Sequence, residues 1–127
     1  MPGQKTLELS LYQQPHVGLK NQTLNPSLIM TLNSSQPGNK LDGYYTAQVP
    51  AIFTMADDYD YNALYGTLEV AGQINKDCFG GPKVLFNFNG LFFKKTGWSC
   101  FEVTAFEMVN GSMQKVDDFR TYRLEIK

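Results

Sequence analysis

Histidine occurs once in this chain of 127 residues, at His16, and cysteine twice, at Cys78 and Cys100. A Ser-His-Asp or Cys-His triad would have to use His16. That residue lies in the break Pro15-His16-Val17-Gly18, where a lone histidine is usually just solvated. Without further histidines a zinc site lacks ligands. Two cysteines cannot build a disulfide framework. They could form one bridge, tying a loop to a strand in an oxidising compartment, or be two small buried apolar residues. The formal net charge is −1, which provides no basic field for nucleic acid and no polybasic run for an anionic membrane. No apolar run approaches the roughly 20 residues of a membrane helix. Glycine-rich phosphate loops are absent, because Gly80-Gly81-Pro82 precedes a strand pattern, whereas a P-loop precedes a helix. These absences lead to the expectation of a protein that is not an enzyme, holds no cofactor or metal, and binds neither nucleic acid nor membrane.

What the chain does contain is alternation. In Lys40 to Val49, the residues Leu41, Gly43, Tyr45, Ala47 and Val49 share one face, and the intervening residues share the other. A period of two marks a half-buried strand. Further strands are predicted over Thr6–Tyr12, Ser27–Leu32, Ala63–Ala71, Lys83–Phe93, Trp98–Val109 and Phe119–Ile126. Asn33 to Asn39 reads as a hairpin loop, Pro50 as the end of the Lys40 strand's pairing, and Asn110-Gly111 as a hairpin turn. The alternation slips near Ala105-Phe106, which predicts a bulge. The last segment also fits a helix stripe through Val116, Phe119, Tyr122 and Ile126. Strand is preferred because no capping box precedes it. The expected fold is a single all-β domain over residues 1–127, an antiparallel up-and-down β-barrel of seven or eight strands. Leu41, Tyr45, Leu68, Val84, Phe86 and Phe88 are expected to point inward.

Two stretches resemble the avidin and streptavidin family. The first runs from Asn21-Gln22-Thr23 through Ser27-Leu28-Ile29-Met30 to Leu41-Asp42-Gly43-Tyr44-Tyr45. It is similar to the family's first hairpin, in which Asn-Gln and a Gly-Ser turn precede an apolar strand and Gly-x-Tyr. The second, Lys95-Thr96-Gly97-Trp98-Ser99, is similar to the family's Thr-x-Trp-Ser/Thr strand opening. The resemblance implies a pocket for a small ring-bearing ligand, biotin being the family's own, at one end of the barrel. It implies Ser27, Tyr45 and Asn21 as donors to a ureido oxygen, and Asp117 as acceptor for a ureido N–H. Thr96 would be a tail-binding hydroxyl, Trp98 a pocket wall, and Thr46 would stand beside the position of a further hydroxyl, which is Ala47. The family's biotin binders use several tryptophans and this chain has one, so biotin binding is expected to be micromolar at best, or absent.

Other patterns have plain alternatives. Asp58-Tyr59-Asp60-Tyr61-Asn62 with Glu69 has the spacing of a calcium loop, but Ala63 stands where glycine is needed, so a solvated acidic loop is expected. Lys94, Lys95 and Trp98 fit a stacking platform, or a solvated turn beside a core tryptophan. Tyr44, Tyr45, Tyr59, Tyr61 and Tyr65 fit a recognition surface, or barrel interior. The rival to a mouth pocket is therefore a protein- or glycan-binding module with a filled barrel that works through its outer loops. Met1 to Lys5 is not followed by the apolar stretch of a signal peptide. Asn21, Asn33 and Asn110 begin Asn-x-Ser/Thr sequons, consistent with a secreted or extracellular protein. Apolar residues on both faces of several strands, with Phe93, Phe106 and Met108 as candidates, lead to the expectation of a homodimer or higher homo-oligomer.

Overall fold

The computed structural model describes residues 7–34, 41, 43–54, 59–60, 64–75 and 82–127. Most of the Asn33–Asn39 loop, the beginning of the Lys40 strand, Asp57 and Asp58, Tyr61 to Ala63, Cys78 and Gly80-Gly81 lie outside the described residues. The described residues form strands and turns, with no helix. In chain order the strands are β1 (Leu7–Gln13), β2 (Val17–Gly18), β3 (Leu28–Ser34), β4 (Tyr45–Thr54), β5 (Tyr59–Asp60), β6 (Leu64–Tyr65), β7 (Glu69–Ala71), β8 (Gln73–Asn75), β9 (Lys83–Phe88), β10 (Phe92–Phe93), β11 (Gly97–Val109), β12 (Ser112–Arg120) and β13 (Leu124–Ile126).

Two sheets, antiparallel except where β2 runs parallel to β13, curl toward each other as a half-barrel. One has the order β1-β3-β9-β8; the other runs β2-β13-β11-β4-β5, with β12 also paired to β11 and β7 to β4. One stretch of chain belongs to both. β7 pairs with β4 and β8 with β9, and Gly72 is the pivot between them. Its N–H donates to the Tyr45 carbonyl at 2.7 Å. A Cβ there would stand 2.3 Å from Val84 Cγ1 and 2.8 Å from Phe86 Cε1, so only glycine lets the chain pass this close to the core.

Between the sheets lies an apolar core. Leu28, Met30, Val84, Phe86, Phe88, Phe93, Phe101 and Leu124 are fully buried, and each contributes on the order of 1.5–3 kcal/mol of transfer free energy. Of the residues expected to point inward, Leu41, Tyr45, Val84, Phe86 and Phe88 are buried, and Leu68 is half-buried against the core.

Several strand boundaries differ from the expectation, each for a local reason. The Lys83–Phe93 strand divides into β9 and β10, and the Ala63–Ala71 strand into β6 and β7. One close approach accounts for both. Gly66 adopts φ +104°, and a Cβ there would lie 1.9 Å from the Gly90 carbonyl oxygen. The two turns nest, and β6 and β10 pair briefly as Tyr65 with Phe92 and Leu64 with Phe93. The turn at Asn89-Gly90 also resets the alternation, which places Phe93 in the core and not on an outer face.

Pro50 does not end its strand. Gln48 pairs with Thr104 and Ala51 with Glu102, so three steps on β4 match two on β11. The surplus residue is a bulge at Val49-Pro50, where a missing N–H is tolerated. The slip expected near Ala105-Phe106 occurs on the opposite strand: Asp117 pairs with Ala105 and Lys115 with Phe106, leaving Val116 as the extra residue. β12 itself begins seven residues before the predicted Phe119 start. Its first four residues, Ser112 to Lys115, are all exposed, so they carry no alternation to read. Asn110 and Gly111, at φ 52° and 81°, form the expected hairpin turn.

Candidate functional site

The residues marked by the avidin resemblance occupy three places. Asn21, Ser27, Thr96 and Trp98 lie at the end of the sheets formed by the last residues of β1 and β9 and the first residues of β3 and β11. Tyr45 and Thr46 lie at the other end, opposite Glu107 and Phe106 of β11. Trp98 and Phe106 are eight residues apart on one strand, which is roughly 26 Å. Tyr45 is buried in the core, and Thr46, on the opposite face, donates to the Met113 sulfur at 3.8 Å. Asp117 is buried between, where one carboxylate oxygen accepts the Leu9 backbone N–H at 2.9 Å.

At the first end, Asn21 is held in a left-handed turn, φ 66°, by its N–H donating to the Phe93 carbonyl at 2.7 Å. The Ser27 carbonyl accepts from the Gln13 side-chain amide at 3.0 Å. Thr96 is exposed. Trp98 is 45% exposed, with the Arg123 guanidinium over its ring at 5.1 Å. A second cation–aromatic pair sits on the same rim, Lys94 over the Tyr65 ring at 4.4 Å, with Tyr65 stacked on Phe92 at 5.9 Å.

The most developed surface of this end involves residues the sequence reading did not single out as ligand-binding. A cavity of about 500 Å3 is lined by Leu11, Tyr12, Gln13, Gln14, His16, Pro26 and Tyr122. Tyr12 and Tyr122 are each 69% exposed. Each sits at an irregularity of the strands. Tyr12 falls at the register shift in β1, between Leu11, which pairs with Met30, and Gln13, which pairs with Ile29. Tyr122 sits in the break between β12 and β13, and a glutamine holds it there. The buried Gln14 side chain accepts the Tyr122 N–H at 3.0 Å and donates to the Tyr122 carbonyl at 3.0 Å, as a neighbouring strand would. The same amide nitrogen reaches the Pro15 carbonyl at 3.0 Å.

Thr121 completes the clamp from the other side. It exchanges backbone and hydroxyl hydrogen bonds with Phe101: the Thr121 N–H donates to the Phe101 carbonyl at 3.0 Å, and the Phe101 N–H donates to Thr121 Oγ1 at 2.9 Å. His16 is exposed, and its carbonyl accepts the Glu125 N–H at 3.1 Å, which fixes it beside β13. The cleft thus presents two tyrosine rings, an imidazole and two glutamine side chains, with no carboxylate or ammonium among the described residues of its lining.

The remaining candidates carry less. Glu69 of the calcium spacing is exposed on β7 and accepts from the Gln48 side chain. Among the described residues no group of three or more His, Cys, Asp or Glu is placed to hold a metal. Cys100 is a free, half-buried thiol. Burial raises its pKa, opposed by the Arg120 charge, reinforced by Glu102 and opposed again by Arg123. No described helix is long and apolar enough to cross a membrane. No protein-family model matches the chain, and no curated protein matches it either.

Proposed function

We propose that this protein is a non-catalytic binding module that recognises neutral glycans through the Tyr12–Tyr122 cleft. The observation that carries this reading is the pair of tyrosines, largely exposed in one cleft while Gln14 pins the backbone of Tyr122. Large aromatic side chains left in water at rigid positions are a recognition feature. Tyrosine offers contact area with little rotamer entropy to lose, and its hydroxyl keeps a polar handle. A sugar ring has an apolar C–H face to lay on such a ring and hydroxyls for Gln13 and His16. A cleft whose described lining carries no carboxylate or ammonium favours a ligand without charge.

The phenylalanine-rich core favours this surface reading over a ligand pocket in the barrel mouth: Phe86, Phe88, Phe93 and Phe101 are all fully buried between the sheets. We read the two sheets as the staves of one seven-stranded barrel, in the order β1, β3, β9, β7–β8, β4, β11, β12. Its last seam brings β12 beside β1 and is bridged by Asp117.

The test is a glycan array probed with the protein and with Tyr122→Ala. Binding to neutral glycans is expected, lost in the variant while far-UV circular dichroism is unchanged. Failure to bind any neutral glycan, or binding indifferent to Tyr122 and Tyr12, overturns the reading.

A further inference from the structure

The outer face of the β1-β3-β9-β8 sheet carries a second cavity, of about 690 Å3. Ile29, Ala71, Ile74 and Leu85 contribute its apolar part, and Gln73, Asn75, Asn87 and Asn89 its polar part. All four amide-bearing residues are exposed. Four amides around a short aliphatic floor form a neutral surface that both donates and accepts. A charged ligand would find no counter-ion among these eight described residues, and a purely apolar one would strip water from the amides without replacing it.

The strand register joins this cavity to the tyrosine cleft. Gln13 of the cleft pairs with Ile29, and Ile29 pairs with Asn87, in a single row perpendicular to the strands. Two strand spacings separate Gln13 from Asn87, about 10 Å. The next row repeats the arrangement: Ser10 pairs with Thr31, Thr31 with Leu85 and Leu85 with Gln73. The Ser10 and Thr31 hydroxyls are hydrogen-bonded to each other at 2.9 Å, so that stretch is a settled polar floor.

We infer that the ligand is a linear neutral polysaccharide lying across the strands, with one ring on Tyr12 and Tyr122 and the following units over Ile29 and Leu85 between the amides. This rests on the glycan reading and deepens it: the module recognises the interior of a chain and not a single terminal sugar. The amide groove supplies hydrogen bonds to successive hydroxyls, and the tyrosine cleft supplies the stacking anchor.

The experiment is calorimetric titration with cello-, manno- and chito-oligosaccharides, from the disaccharide to the hexasaccharide. In the series that binds, affinity is expected to rise at least about tenfold with length. Asn87→Ala and Gln73→Ala each lower affinity for the hexasaccharide by about tenfold, the equivalent of about 1.4 kcal/mol, and leave the disaccharide unchanged. Tyr122→Ala weakens every length. If affinity is flat with length but still lost in Tyr122→Ala, the chain-binding inference is overturned and the glycan reading stands. If no oligosaccharide of the three series binds, the chain-binding inference is overturned, and the glycan array decides the glycan reading separately.

Discussion

The backbone N–H of Leu9 donates to the carboxylate of Asp117 across 2.9 Å, in a buried position 108 residues away along the chain. Leu9 pairs with Leu32 on its other side, so this N–H belongs to the open edge of β1. An unpaired edge group is a liability, and here a side chain from β12 takes the place of a strand. Asp117→Ala leaves that donor buried without its acceptor. The expected cost is about 1–3 kcal/mol, read as a lower urea midpoint with unchanged slope. An unchanged midpoint would show that the seam is not held here.

Gly66 and Gly90 make the tightest backbone approach of the described glycines. Gly66→Ala would place a Cβ 1.9 Å from a carbonyl oxygen, at a positive φ as well. Neither strain can be relieved by a rotamer change, so the β6–β10 pairing should be lost. Gly111, also at positive φ, has nothing within 4 Å of its Cβ position. Gly111→Ala should therefore cost only the backbone strain, about 1 kcal/mol, and the difference in thermal midpoint between the two variants isolates the contact.

Phe101 and Trp98 are three residues apart on β11 with opposite fates. Phe101 is fully buried and tilted against Phe93 at 5.8 Å. Phe101→Ala should cost about 3–5 kcal/mol. Trp98 is nearly half exposed, so Trp98→Ala should cost less than about 1 kcal/mol. Biotin should leave the fluorescence of this single tryptophan unchanged. A saturable shift on biotin addition would restore the mouth pocket suggested by the avidin resemblance.

Cys100 provides a pH test. Its pKa is raised, chiefly by burial, so the thiol stays protonated above the usual thiol range. The folded-state pKa lies above the unfolded one, so the neutral thiol's contribution is complete below the unfolded pKa. It fades as pH rises through the folded pKa. In a Cys78→Ser background, alkylation of the native protein should accelerate at a higher pH than that of the urea-unfolded protein. The reverse order would contradict the burial seen at this site.

Much of the architecture was legible in the chain because alternation survives wherever one face is buried. Val84, Phe86 and Phe88, and Phe101, Val103 and Ala105, alternate inward as their spacing predicts. Apart from the start of β12, whose exposed residues carry no alternation, the boundaries that escaped depend on contacts distant in sequence. The nesting of Gly66 on Gly90 divides two strands, and the bulge at Val49-Pro50 is set by register with β11. Ser27, Thr96 and Trp98 do lie toward one end, but Tyr45 and Thr46 lie at the other, because a local hairpin motif does not state where the strand's ends will be. The tyrosine cleft was the hardest to read. Tyr12 and Tyr122 look like ordinary strand residues, and only the Gln14 clamp across 108 positions sets Tyr122 apart.

The central claim is that recognition occurs on the Tyr12–Tyr122 cleft and not inside the barrel. Amide NMR during titration with a neutral hexasaccharide tests it most directly. The account predicts shifts concentrated at Tyr12, Gln13, His16 and Tyr122, running on to Asn87, while Phe86, Phe101 and Tyr45 stay still. Shifts centred on Tyr45 and the core phenylalanines, or none at saturating sugar, would contradict it.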